Sequence, residues 1–135
     1  MSVLKVFILE DSESRIKEFK KSLVLLTPYC EITVAKDMDH AVDLYKASRP
    51  HGLVFLDHDL GDQAYVSSEE RNTGSEFVRQ THQMIKEDNS TVVIHSLNPD
   101  GAEYMKNYLS DNDIESTLIP FAWTVGNIRR LNIIK

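Results

Sequence analysis

The sequence predicts an α/β fold: a doubly wound, flavodoxin-like three-layer sandwich with a five-stranded parallel sheet of order 2-1-3-4-5. Short apolar runs alternate five times with amphipathic stretches, which is the pattern of repeated βα units. The chain has 135 residues, of which 41% are hydrophobic, so it is long enough to bury a substantial core. No repeat or internal linker interrupts it. We therefore expect a single domain over residues 1–135.

Five short runs rich in apolar residues predict the strands. In chain order they are Leu4–Leu9, Ile32–Ala35, Leu53–Leu56, Thr91–Ile94 and Ser116–Ile119. The third run contains only apolar residues, as expected for a parallel strand that is buried on both faces. The second and fifth runs are predicted to be short strands.

Amphipathic stretches after each strand predict five helices. Their approximate ranges are Ser14–Leu26, Met38–Ala47, Gly74–Glu87, Ala102–Leu109 and Val125–Ile134. In the first helix, Ile16, Phe19 and Leu23 recur at helical spacing. Side chains able to cap a helix precede the first three helices, namely Asp11 or Ser12, then Asp37, then Thr73. The fourth helix is predicted to begin after a turn at residues 98–101.

Composition restricts the classes of partner. The net charge is −6 and the pI is about 5.3, which argues against a general duplex-DNA binder or a membrane-surface binder, since both need a basic face. A small phosphorylated ligand held by a metal stays compatible with this charge. The single cysteine, Cys30, excludes an internal disulfide and suits a reducing cytoplasm, where we expect the protein to lie. No apolar run approaches the roughly 20 residues of a membrane span.

Acidic, imidazole and hydroxyl side chains follow three of the predicted strands at the point where each strand ends. They are Glu10 and Asp11 after the first strand, Asp57, His58 and Asp59 after the third, and His95, Ser96 and Asn98 after the fourth. Because ligands bind beyond the carboxyl ends of parallel strands, we expect these side chains to lie together in one site. Carboxylates crowded this closely resist joint ionisation unless a cation lies among them.

The order of these elements resembles the receiver domain of two-component response regulators, over nearly the whole chain. Glu10 and Asp11 stand where receivers carry the acidic pair that binds a divalent metal. Asp57 stands where they carry the phosphate-accepting aspartate, and Ser96 where they carry a serine or threonine that contacts the phosphoryl group. The resemblance therefore implies a metal-dependent site for phosphoryl chemistry.

Three departures from the receiver pattern point to a divergent branch. Ile119 stands where receivers carry a lysine after the fifth strand, and a long polar segment, Gly61–Asn72, separates the third strand from its helix. His58, Asp59 and His95 are added to the acidic residues. The motifs at Asp57–Gly61, at Thr73 and Gly74, and at His95–Pro99 together resemble the cyclic-phosphate-processing receiver-like domains, whose implied activity is chemistry on a cyclic phosphate. A segment longer than about 12 residues is typical of a functional loop, so a lid over this site is expected.

The predicted metal ligands are Glu10, Asp11, Asp57 and Asp59, whose oxygens suit Mg²⁺ or Mn²⁺. A ligating His58 or His95 would move the preference toward Mn²⁺, Fe²⁺ or Zn²⁺. A bound cation could polarise a phosphoryl oxygen and activate a water, and a histidine could protonate the leaving oxygen. The predicted catalytic residues are accordingly Asp57, His58, Asp59 and His95.

The predicted phosphate-binding residues are Ser96, Asn98 and Arg71. Arg71 lies in the long polar segment and could replace the lysine missing from the fifth strand, since arginine binds phosphate bidentately. Plainer structural roles stay open for most of the site. Asp11 and Asn98 can be helix caps, and Asp59 can be a turn residue. His58 and His95 can be structural, and Arg71 can be a solvated loop charge.

Three functions follow from these residues. The favoured one is metal-dependent hydrolysis of a phosphoester, most specifically of a cyclic phosphate or cyclic nucleotide. The alternatives are a stand-alone receiver that accepts a phosphoryl group on Asp57, and a pseudo-receiver that binds a ligand or a protein partner without chemistry. The other histidines, His40, His51 and His82, have no second ligand at a suitable spacing and are predicted to lie at the surface.

Overall fold

Five parallel strands and four helices form the part of the chain that the computed structural model describes, residues 3–61 and 65–122. The strands are β1 (Leu4–Leu9), β2 (Cys30–Ala35), β3 (Leu53–Leu56), β4 (Thr91–Ile94) and β5 (Ser116–Leu118). The helices are α1 (Glu13–Leu26), α2 (Met38–Ser48), α3 (Gly74–Asp88) and α4 (Pro99–Asp111). The sheet order is β2-β1-β3-β4-β5, so the predicted fold is confirmed. The predicted closing helix, Val125–Ile134, lies outside the described residues.

The three central strands are buried because each face of the sheet is covered by helices. Successive side chains point to opposite faces, so alternate residues of β1 and β3 enter two separate core layers. Phe7, Leu9, Val54 and Leu56 belong to the layer that includes residues of α2, α3 and α4. Val6, Ile8, Leu53 and Phe55 belong to the layer beneath α1. Each fully buried side chain of this size contributes about 1.5–3 kcal/mol.

Helix starts are set by side chains that accept hydrogen bonds from free backbone N–H groups. Of the two predicted caps of α1, Asp11 and Ser12, the structure shows Ser12, whose Oγ accepts a hydrogen bond from the Arg15 N–H at 3.4 Å. Asp37 caps α2 and Thr73 caps α3, as predicted. Helix α4 begins three residues before the predicted start because Asn98 caps it and Pro99 fits the first turn. The fourth helix was therefore predicted too short.

The expectation that His51 lies at the surface is wrong, since it is only 2% exposed. The connector from α2 to β3 turns back under the sheet, where the His51 ring packs 4.7 Å from the Tyr45 ring and 5.5 Å from the Phe7 ring. Its Nε2 lies 2.7 Å from the Ser48 Oγ. Burial lowers the pKa of His51 to about 4, so the ring is neutral at pH 7.

Two glycines allow helices to approach the carboxyl ends of the strands closely. A Cβ on Gly74 would lie 2.1 Å from the backbone oxygen of Asp57, and a Cβ on Gly101 would lie 2.3 Å from the His58 ring. No side chain larger than hydrogen fits at either position without a shift. The first turns of α3 and α4 can therefore pack directly against the residues that follow β3.

No helix among the described residues is both long and apolar enough to cross a membrane.

Candidate active site

Glu10, Asp57 and His95 form a buried cluster at the carboxyl ends of the central strands β1, β3 and β4. Leu56 pairs with Ile94, so the residues that follow them, Asp57 and His95, are neighbours. The His95 Nε2 lies 3.0 Å from the Glu10 Oε1. One potential ligand atom from each of the three side chains lies within 4.8 Å of the others. The sheet therefore brings two of the four predicted carboxylates, Glu10 and Asp57, and one of the two predicted imidazoles, His95, to a single point.

Burial controls the charges of this cluster. Burial is the main cause that raises the pKa of Asp57 to about 7, with His95 opposing the rise and the nearby Glu10 charge adding to it. Burial also raises the pKa of Glu10. The same burial lowers the pKa of His95 to about 4, so the imidazole is neutral at pH 7. Without a cation, burial therefore favours the protonated forms of these carboxyl groups, and a divalent cation among them would stabilise the ionised forms.

The donor set fits a divalent metal. Two carboxylates and one neutral imidazole combine hard oxygen ligands with a softer nitrogen, which suits Mn²⁺ or Fe²⁺ better than Mg²⁺. The His95 Nδ1 is buried without a hydrogen-bond partner among the described residues, so the ring is positioned by the contact of its Nε2 with Glu10 and by packing against Phe19 and Phe55. Residues Glu10, Asp57 and His95 would hold the ion, with Asp11 beside them at the cleft.

Arg15 is the positive charge of the site, and it was not among the predicted residues. Its Nη1 lies 3.6 Å from the Glu10 Oε1 and 3.9 Å from the Asp57 Oδ2. The guanidinium also lies over the Phe121 ring, 5.6 Å from its centroid. The sequence held one signal for it: a cation in the first turn of a helix is unfavourable against the helix dipole, so it needs a nearby anion.

A cleft of about 240 Å³ opens beside Asp57. It is lined by Asp11, Ser12, Arg15, Asp57, Asp59, Tyr65 and Leu97. A larger cleft of about 950 Å³ lies at the opposite end of the sheet, between the ends of α3 and α4. None of the clustered site residues lines that larger cleft, so size alone is a poor guide to the chemistry here. We assign the site to the smaller cleft because Asp57 and Arg15 face it.

His58 is turned into the protein rather than toward the cluster of Glu10, Asp57 and His95. Its side chain is fully buried, and both ring nitrogens have partners. Nδ1 lies 2.8 Å from the Asp59 Oδ1, and Nε2 lies 3.2 Å from the Ser68 Oγ. The backbone N–H of His58 donates to the Asp57 Oδ1 at 2.8 Å. His58 therefore orients its two neighbouring carboxylates.

Asp59 accepts hydrogen bonds from several donors. The Tyr65 N–H donates to Oδ2 at 2.6 Å, and the Val66 N–H donates to Oδ1 at 3.1 Å. The Asn98 Nδ2 also donates to Oδ1, at 3.0 Å. Burial opposes ionisation of Asp59, but these bonds together with that of His58 outweigh it and lower the Asp59 pKa. Asp59 lines the cleft as an ionised carboxylate that holds the segment after β3.

The remaining predicted residues lie at different distances from this centre. Asp11 lines the cleft, and its N–H donates to the Glu10 Oε2 at 3.0 Å. The Ser96 Oγ accepts from the Asn98 N–H at 3.0 Å, so it stabilises the turn before α4. Asn98 caps α4 as well as contacting Asp59. Arg71 is exposed and lies near Glu76, away from the residues that line the cleft. A phosphate-binding role for Arg71 stays a prediction.

Solved structures similar to this chain are response regulators and their receiver domains. The Mn²⁺-bound form of response regulator Rcp1 has a TM-score of 0.66 and 17% identity, covering 98% of this chain and 97% of that one. The phosphorylated cyanobacterial phytochrome response regulator RcpA has a TM-score of 0.64 and 18% identity, covering 96% and 91%. The receiver domain of a LuxO-type repressor from Vibrio parahaemolyticus has a TM-score of 0.61 and 19% identity, covering 96% and 90%. At these identities the likeness establishes the fold.

Comparison of the sequence with curated proteins found no match. The family described as the cyclic-phosphate processing receiver domain matches residues 7–111, which run from within β1 to the end of α4 and include Glu10, Arg15, Asp57 and His95. The resemblance noted from the residues after β1, β3 and β4 is therefore confirmed at the level of the family. This chain belongs to the cyclic-phosphate processing receiver domains.

Proposed function

We propose that this domain hydrolyses a cyclic phosphate ester with a divalent metal held by Glu10, Asp57 and His95. The observation that carries the proposal is the buried cluster of two carboxylates and one imidazole, with ligand atoms within 4.8 Å, beside a cleft that also holds Arg15. The description of the family supports the same chemistry. When bound, the metal would polarise a phosphoryl oxygen and lower the pKa of a water.

The side chains around the cluster have distinct tasks in this proposal. Arg15 binds a phosphoryl oxygen, because it is a cation at the cleft and Ile119 stands where receivers carry their lysine. His58 holds Asp57 through its backbone N–H, and so fixes the direction of the other carboxylate oxygen. Asp59 is a positioning residue here, not a metal ligand, because its oxygens already accept the hydrogen bonds described above.

Turnover of 2′,3′- and 3′,5′-cyclic nucleotides in the presence of Mn²⁺, Mg²⁺ or Zn²⁺ tests the proposal. We expect ³¹P NMR to show a monoester product that forms only with metal. Asp57→Asn should remove both metal binding and turnover. Asp113→Asn is the matched control, because Asp113 is highly exposed and lies at the opposite end of the sheet. Calorimetry that detects bound Mn²⁺ without any product from either substrate would refute hydrolysis.

A second function, acceptance of a phosphoryl group by Asp57, is favoured by the geometry of that carboxylate. Its Oδ1 is held by the His58 N–H, whereas its Oδ2 faces Arg15 at the cleft. The Oδ2 is therefore placed to act as a nucleophile with a cation beside it. Incubation with acetyl phosphate and Mg²⁺ should then add one acid-labile phosphoryl group, which Asp57→Asn would prevent. Complete lack of labelling in the metal-loaded protein would eliminate this function.

A further inference from the structure

Tyr65 lies at the rim of the cleft in a conformation that a tyrosine rarely adopts. Its backbone φ is +55°, in the left-handed region that favours glycine. Its side chain is 76% exposed, and Leu97 on the same cleft is 62% exposed. Among residues 3–61 and 65–122, the other residues with positive φ besides glycine are Asn89 and Asp113, both of types that tolerate this region. Tyrosine at this position therefore needs an explanation.

A set of hydrogen bonds imposes this conformation. Asp59 accepts from the N–H groups of Tyr65 and Val66, and the Asn98 Nδ2 donates to the Val66 carbonyl at 3.0 Å. We call Asp59, His58 and Asn98, with the segment they hold, the clasp. The clasp fixes the backbone of Tyr65, while the Tyr65 ring stays largely in solvent. The fold gains little from an exposed ring, so the ring is available for a ligand.

The volume of the cleft limits which part of a ligand can enter it. A pocket that encloses a whole drug-sized ligand measures about 300–1,000 Å³. The cleft at Asp57 measures about 240 Å³, and its inner wall carries Arg15 and carboxylates. It can hold a phosphate and the adjoining sugar. An aromatic base attached to that sugar would then lie outside, at the rim, where Tyr65 and Leu97 present apolar surface.

We propose that Tyr65 stacks on the base of a nucleoside phosphate bound at Asp57, so that the substrates of the site are nucleoside cyclic phosphates rather than cyclic phosphates of polyols. This inference rests on the proposed function and specifies its substrate class. Stacking on an aromatic side chain tolerates any base, because every base has a π-face. We therefore expect ligands with a base to bind more tightly than ligands without one, and ligands with different bases to bind with similar affinity.

Binding of two monoesters separates the contribution of the base from that of the phosphate. Adenosine 3′-monophosphate carries a base, whereas glycerol 2-phosphate carries none. The binding of each can be measured by calorimetry in the presence of Mn²⁺, without any turnover. We expect Tyr65→Gly, which suits the positive φ, to weaken the binding of adenosine 3′-monophosphate about 5- to 150-fold, the range for one lost stacking contact. The affinity for glycerol 2-phosphate should be unchanged. Tyr65→Phe should keep the wild-type affinity for both ligands.

Tyr29→Ala is the matched control, because Tyr29 is also exposed but precedes β2 at the other end of the sheet. It should change neither affinity. Equal affinities of the wild type for both ligands, or equal losses in Tyr65→Gly, would overturn the stacking role while leaving the proposed hydrolysis intact. Failure of both ligands to bind the Mn²⁺-loaded protein would overturn both. Turnover of cyclic substrates without a Tyr65 effect would overturn stacking alone.

Discussion

At the scale of single residues, Arg15 occupies the position where a metal would compete with it. Its guanidinium lies 3.6 Å from Glu10 and 3.9 Å from Asp57, but its side chain is 28% exposed, so solvent weakens the attraction. We expect Arg15→Gln to tighten Mn²⁺ binding about fivefold, equivalent to about 1 kcal/mol, because a competing cation is removed. The same variant should weaken binding of inorganic phosphate. Calorimetry with each ligand measures both effects, and Arg15→Lys should lie between. Weaker metal binding in Arg15→Gln would contradict this account.

The burial of His51 predicts a pH dependence of stability that does not involve the candidate active site. Burial lowers its pKa from 6.5 to about 4, so the unfolded chain binds a proton that the folded chain rejects. This contribution is present above pH 6.5 and is lost as the pH falls toward 4. Between pH 6.5 and 4.5 we expect a loss of roughly 2 kcal/mol from this group.

Urea unfolding of wild type and His51→Gln across that pH interval isolates the effect, because carboxylate contributions cancel in the difference. The variant should show a smaller decrease in stability as the pH falls. Parallel curves for the two proteins would show that His51 can be protonated inside the fold at little cost.

At the scale of elements, the strands could be predicted because burial on both faces leaves an apolar run. The bounds of β1, β3 and β4 agree with the prediction residue for residue. Helix α4 was predicted too short because Pro99 and Gly101 indicate a turn, whereas here the proline fits the first turn and the glycine admits His58. Arg15 was missed although its place in the first turn of α1 was a signal, and Tyr65 was missed because its importance depends on which segments meet at the cleft.

The approach of α4 to His58 gives a prediction at this scale. A Cβ at Gly101 would lie 2.3 Å from the buried ring, and α4 cannot retreat without losing the Asn98 contacts to Asp59. We expect Gly101→Ala to destabilise the protein by about 1–3 kcal/mol, the usual cost of overpacking, and to weaken adenosine 3′-monophosphate binding by disturbing the clasp.

Gly52→Ala is the control for that substitution, because its Cβ would lie 3.2 Å from the flexible end of Leu4, far from the clasp. Urea unfolding and calorimetry measure the two effects. A Gly101→Ala protein as stable as Gly52→Ala, with unchanged nucleotide affinity, would show that His58 moves freely and that the clasp is not rigid.

At the scale of the whole molecule, the buried cluster couples stability to pH and to metal. Burial raises the pKa of Asp57 to about 7, so the metal-free folded state retains a proton that the unfolded state releases near pH 4. The stability of the metal-free protein should therefore fall as the pH rises from 4 toward 7 and level off above it, by a few kcal/mol in order of magnitude. The contribution of His51 has the opposite pH dependence, because it is lost as the pH falls.

A bound metal should reverse that loss, because it compensates the carboxylates once they are ionised above their raised pKa. We expect Mn²⁺ to raise the unfolding midpoint more at pH 8 than at pH 6, measured after treatment with a chelator and after adding the ion back. Asp57→Asn should be more stable than the metal-free wild type at pH 8, since it buries no charge there, and should gain nothing from Mn²⁺. If the variant is instead less stable at pH 8, then the Asp57 carboxylate contributes to folding through Arg15, and the cluster is an ion pair rather than a metal site.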